Sequence, residues 1–197
     1  MTVSTVSEVF KLYNNFVKPI YSEIEARDNV LPIELLFEIH SAFDHLKRHY
    51  VDSQDEAIVC EKAASHLQRG VLDAFKLKLK YFNDDVKKLR TSKIDFNLID
   101  IGDFLINLIK DKNNITIFAR DARISEGNRN KEEAFENWIE VSLKIDEFYK
   151  KYFDETKLHW AKIKTFKFFG LLFILGLITG LISSGVITFI FDFIICK

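Results

Sequence analysis

Four of the chain's five histidines fall between positions 40 and 66, among acids and arginines. The stretch EIHSAFDHLKRHY, residues 38–50, sets His40, Asp44 and Arg48 at i, i+4 and i+8 of a helix, with His45 and His49 as a second i, i+4 pair. Side chains at that spacing share a helix face. Two imidazoles one turn apart can hold a metal. The spelling His45-Leu-Lys-Arg-His49, however, lacks the glutamate that follows the first histidine of a zincin and serves as its general base. A third ligand has to come from elsewhere, and His66 is the candidate. The stretch SHLQRGVLDAFK, residues 65–76, adds His66, Arg69 and Asp73 at i, i+3 and i+7. If the two stretches are helices paired antiparallel through a turn near 51–54, these sets meet. Three readings then stand side by side: a metal site, a lock of paired charges between helices, and a surface for a charged ligand. The metal reading ranks last. A buried set of this kind needs its partners to offset desolvation.

The second stretch belongs to a run of cations. Residues 60–91 carry eight Lys/Arg against four Asp/Glu in a chain of net charge −1. Arg69, Lys76, Lys80 and Lys87 lie near one azimuth of a helix, Lys78 and Lys88 flank them, and Tyr81 and Phe82 interleave. Such a stripe can track a phosphate backbone or hold a nucleotide. It is equally the pattern of a solvated helix face, and Asp84 and Asp85 interrupt it. The near-neutral total excludes a chain coated in nucleic acid and leaves only a local surface. There is no Gly-rich phosphate loop, nucleophile elbow or Cys-x-x-Cys. No arginine precedes a histidine by four to six residues, the spacing of the all-helical HEPN ribonucleases. The expectation is a chain that is not an enzyme, with no catalytic residue, cofactor or metal. Its candidate ligand-binding residues are Arg69, Lys76, Lys80, Lys87, His45, His49 and His66.

The elements that must position these residues are helices, since Gly (7) and Pro (2) are scarce in 197 residues. Residues 4–26 keep a helical period through Val6, Val9, Phe10, Tyr13, Phe16, Val17 and Ile20, with Pro19 as a kink or split. Asp28 and Asn29 interrupt, and Pro32 suits the first turn of a second helix running to about Tyr50. Its apolar face is Leu35, Leu36, Ile39, Ala42, Phe43 and Leu46. Ser53 with Glu56 spells a capping box for a third helix. That helix extends to about Arg90 on Leu67, Val71, Phe75, Phe82, Val86 and Leu89, and Gly70 weakens it. Between 92 and 126, Phe104, Leu105, Leu108 and Ile109 fit a short helix. Ile94, Phe96 and Leu98, then Ile115 and Ile117, alternate as a hairpin would. From Asn130 no glycine or proline occurs until Gly170. Phe135, Trp138, Ile139, Ser142, Ile145, Phe148, Tyr149 and Tyr152 trace one face of a long helix expected to run unbroken into the tail.

That tail is the other candidate site. Phe168 to Phe191 holds no charged residue, and about 20 apolar residues suffice to cross a bilayer. Within it Gly176, Gly180, Ser184, Thr188 and Asp192 recur at every fourth position. Lipid does not require that pattern, but close helix–helix packing does, because small residues let backbones approach. Thr179 and Ser183 add hydroxyls to a polar path. Asp192, repeated around an oligomer, would form a carboxylate ring selecting cations; alone, it is an ordinary interfacial acid. The N-terminus lacks the basic and apolar regions of a signal peptide. Lys157, Lys162, Lys164 and Lys167 precede the tail while only Lys197 follows it. The positive-inside rule then puts residues 1–165 in the cytoplasm as one domain and 166–197 in the membrane. Two cysteines, Cys60 and Cys196, fit a reducing compartment. The expected fold is thus all-α: a cytoplasmic helical domain whose long last helix continues into a single C-terminal span.

The stretches RDNVLPIELLFEIHSAFDHLKRHY and KAASHLQRGVLDAFKLK, together with the terminal span, resemble a helical domain of small membrane proteins in bacterial antiphage systems. The layout is similar to the membrane effectors of nucleotide-signalling defence, such as the Hailong effector and the ancillary membrane effectors of type III CRISPR systems. The resemblance implies a homo-oligomer, a tetramer, in the bacterial inner membrane. Its cytoplasmic domains would bind an oligonucleotide made by a partner nucleotidyltransferase or polymerase, and the span would open an ion path that depolarises the infected cell. For the Hailong type it implies that a short DNA oligomer holds the path closed. The competing expectation is a tail-anchored scaffold that dimerises through its GxxxG span without conducting.

Overall fold

The computed structural model describes residues 3–30, 32–128 and 131–195, leaving aside the side chains of Asp28, Lys131 and 188–195. Among the described residues there are helices and no strands. Helix α1 (Val6–Leu12) opens on a capping box in which Thr5 and Glu8 satisfy each other's backbone N–H groups. It widens into a π turn over Tyr13–Val17 and continues as α2 (Lys18–Asp28). Pro19 accounts for the widening. A proline inside a helix has no N–H to donate and its ring crowds the carbonyl four residues back. Pro19 therefore sits in the first turn of α2, and Lys18 N–H reaches five residues back to Tyr13 O. Asn29 ends α2 in the left-handed region, φ 51°.

Helices α3 (Ile33–Tyr50) and α4 (Glu56–Arg90) form the antiparallel pair that the sequence implied. Leu35, Ala42 and Leu46 of α3 are buried, while Phe43, from the same expected face, is half exposed and Phe37 more so. The start of α4 differs from expectation. Ser53 lies at φ 55°, outside capping geometry, and Asp55 caps instead, its Oδ1 accepting Ile58 N–H at 3.1 Å. The carboxylate of Glu56 accepts Val6 N–H at 3.0 Å, so it joins α4 to α1 rather than closing a box. Gly70 has a packing reason that outweighs its poor helix propensity. A Cβ there would lie 2.7 Å from Leu35 Cδ1 and 3.1 Å from Glu38 Cβ, so its absence lets α3 and α4 approach.

The stretch 92–126 holds no hairpin. Phe96–Leu98 and Asp100–Gly102 are single 3-10 turns, and α5 (Phe104–Gly127) runs for 24 residues. Phe104, Leu108, Ile115, Ala119 and Ala122 are its buried side, spaced by threes, fours and sevens. Helix α6 (Lys131–Tyr152) buries Phe135, Trp138, Val141, Ile145, Phe148 and Tyr152. It does not run on into the tail. The helix stops at Tyr152, and Asp154 opens a new one by accepting the N–H groups of Thr156 and Lys157 at 2.9 and 3.1 Å. Helix α7 (Glu155–Ile195) then continues for 41 residues.

The chain divides into two compact units: Met1–Arg90 with Asp111–Lys150, and Thr91–Lys110 with Lys151–Lys197. The division does not fall at 165/166, because 91–110 and 151–165 group with the apolar tail. In the first unit the core joins α4 to α6 through Phe82 and Phe148, ring centroids 4.9 Å apart, and the π turn to α6 through Phe16 and Phe135 at 5.3 Å. In the second, Phe104 stacks on Phe96 at 5.4 Å and meets Tyr152 edge-on at 5.4 Å.

Gly70→Val is expected to destabilise the protein by about 2–3 kcal/mol, because the added carbons have no room between Leu35 and Glu38. Gly127→Ala, where nothing lies within 4 Å, is expected to show no loss. Thermal unfolding of the full chain in detergent, followed by circular dichroism, checks both.

Candidate functional site

Helix pairing brings part of the polar cluster together. His45 and His66 stack with centroids 5.2 Å apart. Glu38 organises them: its Oε2 lies 2.6 Å from His66 Nδ1 and its Oε1 accepts Arg69 NH1 at 3.4 Å. His49 is not in the stack. Its Nδ1 lies 2.9 Å from Gln54 O in the turn, and its ring meets Tyr50. His40 is exposed, Arg48 closes on Asp44 at 2.7 Å, and Asp73 pairs with Lys76 rather than with the histidines. Among the described residues no three His, Cys, Asp or Glu side chains converge as a metal would need. Burial, then the neighbouring Arg48, His66 and Lys62, disfavour the charged form of His45 and lower its pKa. The hydrogen bond from Arg48 holds the Asp44 carboxyl below its usual range.

The cationic run is distributed differently from a single solvated stripe. Lys78 is buried, and its Nζ donates to Asp146 at 2.6 Å and to Glu23 at 2.9 Å. Lys76 bridges Asp73 and Glu126 at 3.1 and 2.7 Å. Burial works against its charge, but the hydrogen bonds to Glu126 and Asp73 outweigh it and raise its pKa. Asp85, one of the acids interrupting the stripe, accepts Tyr149 Oη–H at 2.8 Å and pairs with Arg27 at 2.8 Å, while Arg27 lies over the Tyr81 ring. Burial, then the bond to Asp85, pushes the Tyr149 phenol far up. Lys80 and Lys87 are exposed, and Arg69 keeps 58% of its side-chain exposure despite Glu38.

Helix α7 has the opposite character. Its hydropathic window is long and apolar enough to cross a membrane and none of it is buried, unlike the core helix of a water-soluble protein. The 24 uncharged residues rise about 36 Å, against a hydrocarbon core of about 30 Å. More than a dozen exposed Leu, Ile and Phe side chains lie along it. Moving such a side chain fully out of water is worth about 1.5–3 kcal/mol, so the helix gains by being covered with hydrocarbon or protein. Nothing lies within 4 Å of a Cβ placed at Gly176 or Gly180, so that edge is open. The hydroxyls close on their own helix: Thr179 donates to Leu175 O and Gly176 O, Ser183 to Gly180 O and Ser184 to Leu181 O, all at 3.0 Å. The side chains of Thr188 and Asp192 lie outside the described residues.

Compared with protein-family models, curated proteins and solved structures, the chain has no match. Its own geometry must therefore carry the functional reading. Sequence reasoning missed Glu38 as the acid between His66 and Arg69, although it heads the quoted stretch. It also placed Lys78 beside the stripe. The signal was there: the apolar series Val71, Phe75, Phe82, Val86 skips the turn where Lys78 falls.

Two outcomes follow from these contacts. Glu23→Gln with Asp146→Asn strands the Lys78 cation and is expected to cost about 3 kcal/mol in unfolding experiments, most of it recovered on adding Lys78→Met. For His45, the depressed folded pKa means that below about pH 6.5 the unfolded chain takes up the proton first. Its contribution is complete above that pH and is lost as pH falls. The melting temperature should drop between about pH 7 and pH 5, and less so in His45→Gln; equal drops would refute the assignment.

Proposed function

We propose that this chain is a membrane effector of bacterial antiphage defence. It is a homo-oligomer whose α7 crosses the inner membrane once, with the N-terminal helices in the cytoplasm, and which conducts ions under control of an oligonucleotide signal. The observation that carries the reading is α7 itself: an uncovered apolar helix with an open small-residue edge at Gly176 and Gly180. Close approach along such an edge is how spans associate in lipid. A tetramer, as the resemblance to defence effectors implies, would repeat Ser184, Thr188 and Asp192 around an axis. Because the hydroxyls of Thr179, Ser183 and Ser184 are bonded to their own helix, they present lone pairs rather than unmet donors, a lining that favours cations. The signal, made by a partner nucleotidyltransferase or polymerase, would engage the α3–α4 pair at Arg69, Lys80, Lys87 and the His45–His66 stack. Lys76 would take part only by leaving Glu126. Apolar side chains on the outside of α3, Phe37 and Phe43 among them, support contact between copies.

The reading is tested in liposomes holding an ion gradient. The wild-type chain is expected to dissipate it, and a short single-stranded oligonucleotide on the cytoplasmic side to change the rate. Gly180→Leu should abolish both cross-linked oligomers and flux, whereas Gly185→Leu, equally bulky and off the stripe, should keep them. Oligomers without flux would instead identify the non-conducting scaffold.

A further inference from the structure

A groove of about 770 Å³ lies within the second unit, at the boundary where α7 loses its charges. One wall is residues 93–95, and the other is α7 from His159 to Phe169. The walls are pinned together. Asp95 N–H donates to Thr165 Oγ1 at 2.9 Å, and the buried Thr165 hydroxyl donates in turn to Ala161 O at 2.8 Å. The groove is chemically two-sided. Lys93, Lys162 and Lys167 bring three cations, while Ile163, Phe166 and Phe169 bring apolar surface. The groove's acid, Asp95, is turned to its own turn, where Oδ1 accepts both the backbone and the side-chain N–H of Asn97 at 3.0 Å. None of the three lysines has an ion-pair partner among the described residues. Lys76 and Lys78 of the first unit, by contrast, are each held by two carboxylates.

We propose that this groove binds one anionic glycerophospholipid of the surrounding bilayer, with its phosphate on Lys93, Lys162 and Lys167 and the start of its acyl chains against Phe166 and Phe169. Three features select that occupant. The site straddles Lys167 and Phe168, the step from charge to the uncharged span, where a leaflet's phosphates lie. Its volume exceeds what a free phosphate fills and falls within the range of sites that enclose whole ligands. Its cations share the groove with apolar rings, an arrangement that matches a charged head carrying hydrocarbon, and of its other polar side chains Asp95 and Thr165 are already engaged in bonds of their own, leaving His159. Each juxtamembrane lysine is worth about fivefold in affinity for an anionic surface. The proposal rests on α7 crossing a bilayer, but not on ion conduction.

The test uses the full chain in nanodiscs of phosphatidylcholine and phosphatidylglycerol in equal parts, released for native mass spectrometry. The wild-type chain is expected to retain one phosphatidylglycerol per protomer, at least about tenfold in preference to phosphatidylcholine. Lys93→Gln with Lys162→Gln and Lys167→Gln should remove the preference, and glutamines at Lys11, Lys18 and Lys150 of the first unit should leave it. A wild-type chain with no preference overturns the site without any variant, as does a preference that survives the groove substitutions or is lost with the distant ones. Alkaline extraction separates the two levels. A chain that stays in the membrane but shows no lipid preference refutes the groove alone, and a chain that leaves the membrane refutes the span beneath it.

Discussion

The packing of the first unit turns on a lysine inside it. Lys78 is nearly inaccessible, yet it carries a charge between Glu23 of α2 and Asp146 of α6. An ammonium taken from water is tolerated only where carboxylates meet it in good geometry. Helices α2 and α6 are thereby held at one axial position against α4: sliding either by a turn would strand the cation. The Arg27–Asp85–Tyr149 cluster repeats the connection among the same three helices, and Lys76 with Glu126 extends it to α5. Two of the eight cations in residues 60–91, Lys76 and Lys78, are in this way given to register. Arg69, Lys80 and Lys87 stay exposed.

The second unit obeys a different constraint. Its α7 bonds the hydroxyls of Thr179, Ser183 and Ser184 to its own backbone and, from Phe166 to Ile187, leaves its large apolar side chains uncovered. That is the combination hydrocarbon demands, since no water is available there for an unmet polar group. Among the described residues the same unit leaves three lysines without an ion-pair partner around a groove at the head of the apolar stretch. Charges that serve register in one unit are available for an external anion in the other. This contrast is more informative than the net charge of −1 that conceals it.

The helical order of α1 to α4 and of α6 was legible because each keeps a three-and-four spacing of apolar residues between turn formers. The tail was legible from its uncharged length. Residues 92–126 were misread because a helix and a strand share short fragments of pattern. Ile115 and Ile117 alternate locally, but only Ile115 is buried, and the period that includes Ala119 and Ala122 decides for a helix. Small alanines on a buried face give a weak hydrophobic signal, and for that reason α5 was hidden. Caps failed on competition between neighbours: Ser53 matched a motif, but Asp55 stood closer to the first turn and is the stronger acceptor. Glu38 and Lys78 show the limit on sites. Spacing along one helix says which residues share a face, and only the packing partner says whether that face is solvent, core or ligand.

The junction at Phe153 and Asp154 changes how a signal would reach the span. One unbroken helix from Asn130 would pass a rotation along its axis. A helix that stops at Tyr152 and restarts on an Asp154 cap is broken at Phe153 and is not that rod. The chain also enters and leaves the second unit elsewhere. It passes between the units after Arg90 and after Lys110, the latter inside α5, and again after Lys150 inside α6. Residues 93–95 are bonded to α7 at Thr165, eleven residues beyond its Asp154 cap. Within the second unit, helix α7 is thus held at Thr165 by the segment that leads into α5.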